Sequence, residues 1–167
     1  MLRITIFLQL QMHPLFQQPY SGTNMPFITY PQQNGQVAVI IPADPSLSIE
    51  EIAAKDVPAG LPYKIVNSLN IDNTFFNSYI FDQTQGAILD FSKAQAQQTA
   101  TLNQIVYNEY AHRAVKTLSG ISNTLPDSDW KTLVTNSQFA IATATTTDQL
   151  VAAIVPVQSA ITANAAI

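Results

Sequence analysis

Cysteine is absent from this chain, and only 11% of its 167 residues carry a charge, less than half the usual share. Without thiols there can be no disulfide scaffold, no thiol nucleophile and no zinc–thiolate site, and the redox compartment is left unread. Seven Lys and Arg stand against eleven Asp and Glu, for a net charge of -4. Lys55, Lys64, Lys93, Arg113, Lys116 and Lys131 are scattered singly. Phosphate binding needs several cations on one face, so nucleic acid is not an expected partner. Gln, Asn, Thr and Ala fill the place of the missing charges, and a surface so poorly charged is poorly protected against association. The expectation is that much of it is covered by a partner or by copies of itself in a homo-oligomer. The 47% of apolar residues suffices for a real core, in one ordinary domain or in a compact domain with an appended arm.

Long apolar runs are missing too. Arg3 followed by Ile4 to Leu10 has the outline of a signal peptide, but Gln9 and Gln11 interrupt it and no small-x-small cleavage site follows. The run is also far below the ~20 apolar residues of a membrane span, so no membrane is expected. Residues 1–36 read as an N-terminal arm or linker, with a second start available at Met25, under which residues 1–24 carry no function. Within it, Pro14, Pro19, Gly22, Pro26, Pro31 and Gly35 among polar residues read as a surface loop rather than a packed element.

Residues 37–91 read as a small α+β module. Val37 to Ile41 is a continuous apolar run that suits a short strand buried on both faces. Ser48 and Glu51 form a capping box for a helix running to about Asp56, with Glu50 and Glu51 at its positive end. Pro58, Gly60 and Pro62 stop that helix, and Tyr63 to Val66 reads as a second strand. Tyr79 to Phe81 and Ala87 to Phe91, joined through Gly86 at positive φ, read as a β-hairpin.

The string IEEIAAKDVP from Ile49 to Pro58, followed by Ala59, Gly60, Pro62, Tyr63, Ile65, Val66, Thr74, Phe75 and Asn77, resembles the central block of small tailed-bacteriophage proteins encoded near tail-fibre genes. The resemblance covers roughly Val37 to Asp90, with a weaker echo in the remainder. It implies a tail-associated protein or a tail-fibre assembly factor, working in the host cytoplasm during assembly or retained on the virion tail. In that family arginines commonly flank the Thr-Phe pair and an Asn-Ala-Trp follows. Here Asn73, Phe76 and Asn77-Ser78-Tyr79 stand instead, so any charged contact of those arginines is lost.

From residue 92 to 167 the period becomes helical. Ser92 can cap a helix of some 25 residues whose apolar stripe is Leu102, Ile105, Val106, Tyr110, Ala114 and Leu118, and Gly120 ends it. A second helix starts near Asp127 or Ser128 with Trp130, Leu133, Val134 and Phe139 as its buried side. A third begins after Thr147, the Thr143 to Thr147 run being a junction. Beyond Asp148 no residue is charged, and Leu150, Val151, Ile154, Val155, Val157 and Ile161 call for a neighbouring surface.

Catalytic constellations are hard to assemble. His13 and His112 are the two imidazoles, in regions of different character. Glu109 and His112 form an E-x-x-H pair on one helix face, the half-site of di-iron bundles. The second pair and the two further glutamates are lacking, so a solvated face with Glu109 beside Arg113 is the preferred reading. Asp127, Asp129 and Trp130 could hold a sugar, but acidic residues at a helix start before a core Trp are the commoner cause and the preferred reading. Glu50 and Glu51, being adjacent on a helix, make a poor acid–base couple. Nucleotide-loop, zinc-protease and serine-hydrolase motifs are missing.

The reading is an α+β protein: a small β-rich module with one short helix, followed by two or three helices. The resemblance implies a non-enzymatic tail accessory protein, without a cofactor, that binds the tail fibre as an assembly chaperone. A structural tail subunit and a carbohydrate-binding tail protein are the alternatives. The docking candidates are Tyr63, Phe75, Phe76, Tyr79 and Phe81 in the β module and Leu150, Ile154 and Ile161 in the last helix, since aromatic anchors suit interfaces. A core role for alternate members of the aromatic set competes with that reading.

Overall fold

The computed structural model describes residues 26–44, 46–123 and 125–165. The arm to residue 25, with His13 and the alternative start at Met25, lies outside them. The protein is α+β and divides into two compact units, Met1–Leu89 and Asp90–Ile167.

In the first unit β1 (Phe27–Pro31) is the centre of a three-stranded antiparallel sheet, between β2 (Val37–Ile40) and β3 (Lys64–Val66). This corrects the linker reading at these positions. Ile28 and Thr29 are completely buried, and Pro31 is tolerated because it pairs only with Val37, at the end of the strand where β3 no longer runs beside it. Ile28 sits in register with Ile40 on one side and Ile65 on the other. That face meets α1 (Ile49–Asp56), whose Ile52 and Ala53 pack with Ile28 and Val57. The capping box is complete: the Glu51 N–H donates to Ser48 Oγ at 3.2 Å, and the Ser48 N–H donates to Glu51 Oε2 at 2.8 Å. β2 is an edge strand, buried on both faces only at Val37 and Ala38, and Ile41 lies beyond it, exposed.

On the other face of β1 lies the expected hairpin, of β4 (Tyr79–Asp82) and β5 (Gly86–Leu89), with Ile80 in register with Ile88; its second strand ends at Leu89, short of Phe91. Its turn is held by the Asp82 carboxylate, which accepts from the Thr84 and Gln85 N–H groups. Gly86 has φ 84°, and a Cβ there would stand 2.8 Å from both Thr29 Oγ1 and Val66 Cγ1. The hairpin thus approaches the sheet by backbone, which only glycine allows.

The second unit is a three-helix assembly of α2 (Phe91–Leu118), α3 (Asp127–Thr143) and α4 (Thr147–Ala165), each packing on the other two. Asp90, not Ser92, caps α2, its carboxylate accepting from the Lys93 N–H at 3.1 Å. Gly120, with φ 72°, closes α2 in a Schellman motif: the Ile121 N–H donates to Lys116 O and the Gly120 N–H to Thr117 O. At the Thr143–Thr147 junction Thr146 Oγ1 accepts from the Gln149 N–H, and Gln149 Oε1 accepts from the Thr145 N–H. The core is Ala94, Leu102, Trp130, Val134, Ile141, Leu150, Ile154 and Val157. Burying each large aliphatic member contributes about 2 kcal/mol. Phe139 is a correction: it is 70% exposed, because the buried line of α3 runs through Trp130, Val134, Ser137 and Ile141.

Candidate functional site

The inner face of α2 changes character along its length. Ala94, Gln98 and Leu102 are buried in its first half, and the same face continues through Glu109, Arg113 and Lys116, which are buried as well. A solvated face at Glu109 is therefore overturned: that residue is 3% exposed and Arg113 is 4% exposed. The physical cause is pairing. Asn164 on α4 donates through Nδ2 to Glu109 Oε1 at 2.7 Å, while its own backbone and side-chain oxygens accept from Lys116 Nζ. Arg113 donates through Nη2 and Nε to Asp127 Oδ1, at 2.7 and 3.2 Å, and through Nη2 to the Leu125 carbonyl. Two cations and two carboxylates cancel formally, and their hydrogen bonds tie α2 to both partner helices. Buried charges survive only with such partners.

Trp130 lies within this cluster. The Arg113 guanidinium carbon stands 5.6 Å from the ring centroid, and Tyr110 meets the ring edge-on at 6.4 Å. Trp130 is 1% exposed. A sugar platform needs an open ring face, so this burial removes Trp130 as one. Its Nε1 and Asn123 Oδ1 are buried without a hydrogen-bond partner among the described residues. Asp127 and Asp129 do occupy the first turn of α3, but its N-cap position is Pro126, which has no side-chain acceptor, and the Asp127 carboxylate accepts from Arg113. The His112 imidazole, half exposed, is 3.5 Å from Glu109 Oε2. Among the described residues no three His, Cys, Asp or Glu side chains come together as a metal site would require.

With its ionic groups turned inward, the distal half of α2 presents apolar side chains outward. Tyr107 is 72% and Leu118 is 88% exposed, and Tyr110, Ala111, Ala114 and Val115 are exposed between them. On α3 and α4, Phe139, Val151 and Val155 are exposed too. A shallow groove of about 530 Å³ runs between α3 and α4, lined by Leu133, Asn136, Ala140, Ala152, Ala153 and Pro156 among others. None of its lining residues is charged.

The expected docking residues separate into two groups. Phe75, Tyr79, Leu150 and Ile154 are core residues, and the Tyr79 hydroxyl is held between the Asp72 N–H and the Asn70 carbonyl. They are corrected from surface to interior: closing each unit uses the most apolar side chains first. Phe76, Phe81 and Ile161 are half-buried, and Tyr63 is exposed. Sequence reasoning missed the Glu109–Arg113–Lys116–Asn164 cluster; the signal available was the spacing of 109, 113 and 116, which continues the face of 94, 98 and 102.

The chain matches no family model, no curated protein and no solved structure. Among the described residues no helix is long and apolar enough to cross a membrane.

Proposed function

We propose that this chain works by binding other protein, as a non-enzymatic accessory factor of a phage tail that shields the tail fibre during its assembly. The observation that carries the binding reading is the inverted polarity of the helical unit, with Glu109, Arg113 and Lys116 inside and Tyr107, Val115, Leu118 and Phe139 outside. A surface of that kind gains free energy when another apolar surface covers it. The phage-tail reading draws its support from the resemblance of Ile49 to Asn77. The fibre would dock on the α3–α4 face, where the uncharged groove and exposed Val151 and Val155 accept an apolar segment. Its work would take place in the host cytoplasm, before the fibre joins the tail.

Co-expression with the tail-fibre protein encoded beside it, followed by size exclusion of the soluble fraction, tests this. Fibre solubility should depend on this chain, and Ala152→Glu, which places a charge in the groove, should abolish the effect. A fibre that folds alone and never co-elutes would refute the assembly role. A structural subunit that stays in the particle is the second reading, favoured by the extent of the uncharged face on α2. Mass spectrometry of purified particles separates the two, since an assembly factor is absent or substoichiometric there.

A further inference from the structure

We infer that the outward face of α2 is a homotypic seam on which a second copy of this chain packs its own α2, antiparallel, about a two-fold axis between Asn103 and Tyr107. The inference goes beyond fibre binding and uses a different face.

The first observation is spacing. Ala96, Ala100, Asn103, Tyr107, Tyr110 and Ala114 are all exposed, and they follow one another at steps of four, three, four, three and four. That alternation is the seam of a coiled coil, in which a helix meets another helix. The 28 residues of α2 give a helix about 42 Å long, so the stripe runs along most of one side.

The second observation is size. In an antiparallel pair, Tyr107 of one copy stands opposite Asn103 of the other, Tyr110 opposite Ala100, and Ala96 opposite Ala114. Each tyrosine then meets a smaller side chain, and the seam narrows to Ala against Ala at both ends. A parallel pair would stack Tyr107 on Tyr107 and Ala100 on Ala100, alternating swollen and hollow layers that close packing penalises. The phenol of Tyr107 can also reach the Asn103 amide opposite it.

Charge is the third. Between Ala94 and Leu118 the ionic residues of α2 are Glu109, Arg113 and Lys116, all turned inward, so two copies of the stripe meet without repulsion. At its N-terminal end the stripe begins with Lys93, which antiparallel pairing sets opposite Thr117, beside the last turn of the other α2. The negative end of the helix dipole favours a cation there. A two-fold arrangement satisfies both ends at once.

Sedimentation velocity of the full chain, purified without any fibre protein, tests the seam. A dimer is expected, and Tyr107→Glu should weaken it about 100-fold or more while leaving the far-ultraviolet circular dichroism unchanged, since it would bury an unpaired charge. Because the chain has no cysteine, introduced thiols report the geometry cleanly. Ala100→Cys combined with Tyr110→Cys should oxidise to a covalent dimer, and Ala100→Cys alone should not. A monomeric wild type up to its solubility limit, a Tyr107→Glu protein that still dimerises, or efficient cross-linking by Ala100→Cys alone would each overturn the inference. Should Tyr107→Glu lose helicity, Ala100→Glu serves as the second disruptor with the same expectations. No fibre is present, so failure here leaves the assembly reading standing, and failure of co-expression leaves the seam standing.

Discussion

Gly86 and Gly120 share a positive φ and differ in what surrounds them, which lets one substitution be split into its causes. An added Cβ at Gly120 meets nothing within 4 Å, so Gly120→Ala bears only the left-handed backbone strain, about 1 kcal/mol. At Gly86 the same methyl collides with Thr29 and Val66, and overpacking adds to strain for a total of about 2–5 kcal/mol. Urea unfolding of the two variants should separate them clearly; equal losses would mean that the hairpin does not approach the sheet as closely as described. Arg113 offers a second contrast. Arg113→Ala removes the cover of Trp130 and the guanidinium whose Nη1 stands 3.9 Å from buried Glu109 Oε1, an expected loss of about 3 kcal/mol. Asp127→Ala removes the exposed member of its pair and leaves Arg113 with Glu109 and the Leu125 carbonyl, so it should cost less, about 1 kcal/mol. Fluorescence of the single tryptophan follows both unfolding transitions, and a larger loss for Asp127→Ala would contradict the burial pattern.

At the scale of elements, the capping box of α1 makes stability depend on pH with a definite sign. The Ser48 backbone N–H, and then its hydroxyl, donate to the Glu51 carboxylate and hold its pKa below the ordinary value. Asp44 is shifted the same way, first by the Ser46 hydroxyl and then by the Ser46 N–H. A carboxyl depressed by folding contributes stability that is complete above its unfolded-chain pKa and is lost as pH falls through the folded value. The Tm of the wild type should therefore exceed that of Glu51→Gln at neutral pH and converge toward it in acid; a gap constant with pH would rule out the charged cap. Such local signals were legible in the sequence: Ser48 with Glu51, the positive-φ Gly86 and the helix stop at Gly120 each involve residues a few positions apart. The central strand was not, because Phe27 to Tyr30 is short, flanked by prolines, and specified by partners at Ile40 and Ile65 far along the chain. The buried face of α2 was legible only to Val106. Successive steps of four advance about 40° around a helix of 3.6 residues per turn, so a stripe followed through Tyr110, Ala114 and Leu118 drifts off the inner face. The inner face itself passes to Glu109, Arg113 and Lys116, whose burial rests on Asp127 of α3 and on Asn164 of α4, 48 residues away from Lys116.

At the scale of the whole molecule, the division at Leu89 and Asp90 has an energetic asymmetry. The first unit rests on short strands and an eight-residue helix, with Ile28, Ile52, Ala53 and Val57 as the buried cluster between them. The helical unit joins a core of large aliphatic side chains to a charge-neutral cluster that touches all three helices. Residues 90–167 alone should therefore fold into a cooperative helical unit, with a Trp130 unfolding midpoint close to that of the full chain. The start of the fragment matters, because the Asp90 carboxylate is the cap of α2. A fragment beginning at Ser92, where helical periodicity first shows in the sequence, lacks that cap and should be less stable by about 1 kcal/mol. Denaturant titrations of the two fragments beside the full chain decide the matter. Equal midpoints for the two would show that Ser92 can replace Asp90 as the cap, and a non-cooperative transition in both would mean that the helical unit depends on residues before Asp90.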